Sequence, residues 1–268
     1  TISLTGANVA VTEAAATDLG ASTVSGTFGV TSTGAVTDSG TLAITGATTI
    51  SASGQDITLS DASSTFGTIS LTGANVAVTE GAATDLGAST VSGTFGVTST
   101  GAVTDSGTLA ITGATTISAS GQDITLSEAA STFGTISLTG ANVAVTEAAA
   151  TDLGASTVSG TLGVTSTGAV TDSGTLAITG ATTISASGQD ITFDEAASTF
   201  GTISLTGANV SVTEAAATDL GASTVSGTFG VTSTGAVTDS GTLAITGATT
   251  ISASGQDITL SEAASTFG

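Results

Sequence analysis

The chain repeats itself. The segment 1–67 returns at 68, 135 and 202, so four segments of 67 residues account for all 268. The copies differ at few positions, among them Asp61 against Glu128, Ser63 against Ala130, Ala14 against Gly81 and Ala10 against Ser211. Self-similarity at a fixed period marks an architecture in which each repeat is buried by its neighbours rather than by a core of its own. That constraint outranks local propensity. Read alone, "VTEAAATDLG" (residues 11–20) resembles a short helix, with a capping Thr, Glu and alanines, and a closing Gly. Inside a repeat it has counterparts, "VTDSGTLA" and "LSDASSTFG", and it becomes the longest version of one variable corner. The seven residues from its acid, Glu13, to its next core residue, Leu19, are too few for an independent helix in water.

Each repeat divides further. Its apolar residues fall in short alternating groups: Ile2/Leu4, Val9/Val11, Leu19, Val24/Phe28/Val30, Val36, Leu42/Ile44, Ile50, Ile57/Leu59 and Phe66. Alternation with period two marks half-buried strands. The nine groups fit three rows of three, over 1–22, 23–46 and 47–67. A strand, a turn, a strand, a turn and a third strand make one coil, too small to bury its own apolar side. Stacked coils bury a continuous core and satisfy their backbone groups by parallel pairing. The expected fold is therefore all-β: a right-handed, three-faced parallel β-helix, right-handed by the usual crossover bias. It has about 22 residues per coil and about 12 coils, hence about three coils in each of the repeats 1–67, 68–134, 135–201 and 202–268. At about 4.8 Å per strand spacing, a single solenoid of that kind is a rod of roughly 58 Å.

Composition removes most chemistry. The chain has no Lys, Arg, His, Cys, Pro, Met, Trp or Tyr, against 21 acids. No His, Cys, Lys or Tyr is present to act as base or nucleophile. Only hard, oxygen-ligated cations fit its donors. A net charge of −21 without a basic patch excludes nucleic acid and anionic membrane surfaces as partners. No apolar run approaches the ~20 residues of a membrane-spanning helix. With no Met anywhere, the chain reads as a mature or excised segment.

The row alignment places one acid after each second strand, at one corner: Glu13, Asp38, Asp61, Glu80, Asp105, Glu128, Glu147, Asp172, Glu195, Glu214, Asp239 and Glu262. Like charges about 5 Å apart repel by roughly 0.8 kcal/mol in water before screening. Such an edge has three remedies: side chains splayed into solvent, carboxyls protonated with raised pKa, or a row of Ca²⁺ or similar ions. A sparser set, Asp18, Asp85, Asp152 and Asp219, falls near the same corner, and Asp56, Asp123, Asp190 and Asp257 begin a second strand. Glu13 with Asp18 is the one pairing that could serve as the two carboxylates of glycoside cleavage. Copied four times without an aromatic or cationic cleft, it reads as a corner, and no enzyme is expected.

"GAVTDSGTLAITG" and "DITLSDASSTFGTISLTGANVAVTEAAATDLGASTVSG" resemble the β-strand repeats of very large secreted bacterial surface proteins. They are similar to the repeat regions of filamentous-haemagglutinin-like adhesins. The resemblance implies a right-handed β-helix, an extracellular or cell-surface location in a bacterium, and a role as stalk, fibre or adhesin shaft. The partner expected from the residues is the chain itself, by end-to-end stacking or by continuation of a longer array. The other readings are binding ones: a divalent cation on the acidic edge, or ice or another surface on the outward Thr rows.

Overall fold

In the computed structural model all 268 residues are described, and they form two compact units, Thr1–Gly134 and Thr135–Gly268, each of two repeats. Every ladder is parallel and there is no helix; the turns carry three runs of strand, the three-faced β-solenoid expected. The "VTEAAATDLG" corner is two strand ends, Val9–Glu13 and Thr17–Leu19, joined by a bend at Ala14 and Ala15.

The turn is shorter than expected. Ladder partners lie 17 to 22 residues apart: Ile69 with Leu86, Val9 with Phe28, Phe28 with Thr48, Ala43 with Thr65. The mean is about 19 residues rather than 22, so the chain makes more turns than the 12 coils expected. The cause is local. Val24 and Phe28 do not share a strand. Ser22–Val24 and Phe28–Ser32 are separate strands with a corner between them, so one expected group is two.

A 67-residue repeat therefore winds about three and a half turns rather than three. The half turn has a visible consequence in the first unit. On one side, the single strands Val9–Glu13, Phe28–Ser32, Thr48–Ser51 and Thr68–Gly73 stack in register. Thr68–Gly73 then pairs with two short strands at once, Thr84–Leu86 at its start and Ser89–Val91 at its end. The other side has the reverse order. Short strands Thr17–Leu19, Val36–Asp38 and Ile57–Leu59 give way to single strands Val76–Glu80, Phe95–Ser99 and Thr115–Ser118. Equivalent strands of consecutive repeats, Val9–Glu13 and Val76–Glu80, thus lie in different sheets. The second unit repeats this with Val143–Glu147 and Val210–Glu214.

Alternation fills the core. Val76, Val78, Phe95, Val97, Ile57 and Leu59 are buried while Ala77, Thr98 and Thr58 between them face out. The third repeat carries Leu162 where the others have Phe and Phe193 where they have Leu. These two stand in different ladders, Leu162 with Val143 and Thr182, Phe193 with Val212. The Phe193 ring instead stacks on Phe200, centroids 5.8 Å apart. Corners use glycine for two distinct reasons. Gly54, at φ +72°, makes the turn in which Gln55 N–H donates to Ala52 O. Gly46 lies over Gly26, where an added Cβ would sit 2.5 Å from a backbone oxygen.

Candidate functional site

The acids do not form one edge. In the first unit Asp38, Asp61 and Glu80 follow one another on successive turns of one side. Asp38 is in register with Leu19, and Leu59 and Val78, each two residues before Asp61 and Glu80, are in register with each other. Asp105 and Glu128 occupy the other side, where Asp105 is in register with Leu86. The second unit groups Asp172, Glu195 and Glu214 likewise, then Asp239 and Glu262. Each column is broken by serine: Glu13, Glu80, Glu147 and Glu214 pair with Ser32, Ser99, Ser166 and Ser233. The single-corner arrangement required a 22-residue coil, and the shorter turn rotates the acids out of it. No group of three or more acids converges in a metal-holding geometry.

Most of these carboxylates serve backbone N–H groups that a ladder of changing step leaves unmatched. Asp105 accepts from Ser127 N at 2.7 Å, Ser127 Oγ at 3.3 Å and Glu128 N at 3.2 Å. Asp38 receives Ser60 N and Asp61 N, and Asp239 receives Ser261 N and Glu262 N, in the same way. Asp61 accepts from Ser63 N and from Thr41 Oγ1, and these bonds hold its pKa below the usual carboxylate value. Charge-assisted bonds to N–H groups satisfy donors that would otherwise be stranded at a corner.

The two sparser sets are also ladder parts. Asp85 accepts from Thr68 Oγ1 at 2.7 Å and Ser106 Oγ at 2.8 Å, and Asp152 and Asp219 have equivalent partners. Asp18 accepts from the Thr1 and Ser39 hydroxyls, which hold its pKa low. Asp56 accepts from Asn75 N and Nδ2, and Asn75 Oδ1 in turn accepts from Thr94 N. The Glu–Asp pairing considered for sugar chemistry is placed differently in the repeats: Glu13 is exposed and lines one hollow with Asp18, whereas Glu80 is wholly buried and Asp85 stands outward between buried Thr84 and Leu86.

The third repeat departs from the pattern. Asp194 replaces the serine found at Ser60, Ser127 and Ser261. Its N–H still reaches Asp172 at 2.9 Å, but no hydroxyl accompanies it, and Asp172 Oδ2 is buried without a hydrogen bond. Burial pushes the Asp172 pKa up, and the nearby Asp194 charge adds to the rise. Asp194→Ser is expected to stabilise the second unit by about 1 kcal/mol at neutral pH. In urea unfolding the gain should fade as pH falls and Asp172 is protonated.

Sequence reasoning missed the buried polar residues. Ser64, Ser131 and Ser198 are fully buried, and their Oγ atoms accept from Leu42 N, Leu109 N and Leu176 N at 2.9–3.0 Å. Glu80, Glu147 and Glu214 are also inside, at 0–1% exposure. The signal for the glutamates was present: in "VAVTE" the alternation that turns Val76 and Val78 inward continues to Glu80.

Comparison with curated proteins finds no match, and comparison with solved structures finds none. A family model described as repeats of unknown function (DUF5649) matches residues 6–72, 73–139, 140–206 and 207–268. Its period agrees with the repeat read from the residues and covers nearly the whole chain, so the chain belongs to this family of repeats of unknown function.

Proposed function

We propose that the chain is a structural element of an extracellular fibre, stalk or adhesin shaft, at the surface of a bacterium. The observation that carries the reading is the re-use of one stacking register by successive repeats. Each added repeat supplies a wall, and the polar side chains are spent on holding that wall together. The reading is non-enzymatic and needs no cofactor.

Diffraction from oriented dried films of the full chain tests it. A shaft built this way gives a meridional reflection near about 4.8 Å, with strands perpendicular to the long axis. A globular, unoriented pattern with no assembly at millimolar concentration contradicts the fibre reading.

A further inference from the structure

Glu80 and Glu214 have no counter-ion, because the chain contains no basic side chain. Each ends a strand whose inward residues are otherwise apolar. Oε1 of Glu80 accepts from Phe66 N at 2.7 Å, and Oε1 of Glu214 from Phe200 N at 2.8 Å. Oε2 of both is buried and has no hydrogen bond. Beside Glu80 stands Thr84. The Thr84 hydroxyl donates to Ser99 Oγ at 3.0 Å, and Ser99 Oγ donates to Ala82 O at 2.7 Å. The direction of this chain matters. The single Thr84 proton thus stands between two acceptors, Ser99 Oγ and the Glu80 carboxyl, so a carboxylate must compete for it, while a carboxylic acid supplies a proton of its own. Around Glu214, Ser233 likewise donates to Ala216 O at 2.6 Å, but Thr218 Oγ1 makes no hydrogen bond to Ser233 and is buried unpartnered, as is Glu214 Oε2.

The titratable groups near Glu80 are all acids. Asp61 lies on the turn beneath, with its carboxylate turned to Ser63 and Thr41. Asp85 lies on the outward face of Thr84–Leu86. Phe95–Ser99, on the turn above, carries none. Glu195 and Asp219 take these places around Glu214, with Phe229–Ser233 above. Every neighbouring charge therefore favours the neutral form.

We infer that Glu80 and Glu214 are carboxylic acids in the folded chain, Glu80 closing a Glu–Thr–Ser–carbonyl hydrogen-bond chain, and that they make the solenoid an acid-stabilised fold. Burial raises the pKa of both, and the Phe66 and Phe200 N–H groups and the Thr84 and Thr218 hydroxyls oppose that rise without cancelling it. The sign follows from linkage. An acid with a raised folded pKa contributes stability that is fully present below the unfolded carboxyl range of about 4.3, and loses it as pH rises through the folded value.

The test uses the full chain. Urea midpoints are measured from about pH 4 to pH 8 for the wild type, for Glu80→Gln with Glu214→Gln, and for Glu13→Gln with Glu262→Gln. Both variants remove two carboxyl groups, but Glu13 and Glu262 are exposed. The wild-type midpoint is expected to fall as pH rises, Glu80→Gln/Glu214→Gln to flatten that fall, and Glu13→Gln/Glu262→Gln to leave it nearly unchanged. Equal flattening by both pairs makes the effect one of general charge and overturns the inference. An infrared readout on the wild type holds even if a variant fails to fold. At pH 7, where exposed acids are ionised, a protonated-carboxyl C=O band is expected, and its absence overturns the inference.

Discussion

Replacing Phe95 by alanine should cost the first unit about 3–5 kcal/mol, the range for emptying a large aromatic site in a close-packed core. Phe95 is 1% exposed, and its strand lies between Val76–Glu80 and Thr115–Ser118. In a solenoid a lost ring is felt by the turns on both sides, because each turn is the lid of the one beneath it. The chain supplies its own control. The third repeat has Leu162 at the equivalent place, 2% exposed and stacked in the same way. Phe95→Leu should therefore cost less than about 1.5 kcal/mol. Urea unfolding of the two variants against the wild type reads both values. Equal losses would mean that the site is not packed as described.

Gly113→Val is expected to be nearly as damaging, by about 3 kcal/mol or more, through overpacking against backbone that cannot turn aside. A Cβ at Gly113 would stand 2.4 Å from Gly93 O and 2.7 Å from Gly93 C. Gly113 N–H also donates to Gly93 O at 3.1 Å, so the corners cannot separate without losing that bond. Gly134 continues the column, its own Cβ position 2.7 Å from Gly113 O. Gly96 provides the contrast. Its Cβ would meet Val76 O at 3.8 Å, an ordinary contact. Gly96→Ala should then change stability by no more than about 0.5 kcal/mol. Circular dichroism melts of both variants check this, and a Gly113→Val melt like the wild type would show that the glycine corners do not touch.

The β-solenoid was legible because the residues that carry it are periodic at two scales. The 67-residue repeat demanded stacking, and alternation in "TISLTG", "NVAVTE" and "DITLS" identified strands whose apolar residues are buried. The length of the turn was not legible. Val24, Phe28 and Val30 look like one alternating group, and nothing apolar marks the corner at Ser25–Thr27. Once the two strands are merged, three equal rows fill a repeat neatly, and a winding of three and a half turns has no local signature. The acids followed that error. A column of charges at one corner is a product of the row alignment, whereas the shorter turn gives small groups capped by serines and backbone N–H groups. Buried Glu80 was readable from strand parity, but a carboxyl is seldom assigned to a core that has no cation. Its place is set by tertiary structure, through the Phe66 N–H that has no carbonyl to meet.

The turn length is the claim on which the rest depends, and thiol cross-linking tests it directly in a chain without cysteine. Thr23 is in register with Ala43, 20 residues on. Thr45, exposed and with the same outward parity, lies 22 residues on, the spacing of the longer coil. Neighbouring parallel strands are about 4.8 Å apart, within disulfide reach, whereas a residue two places further along the strand is about 8 Å away and beyond it. Thr23→Cys with Ala43→Cys should oxidise readily to an intramolecular disulfide, and Thr23→Cys with Thr45→Cys should remain reduced. Efficient closure of the second pair and failure of the first would contradict the 19-residue turn.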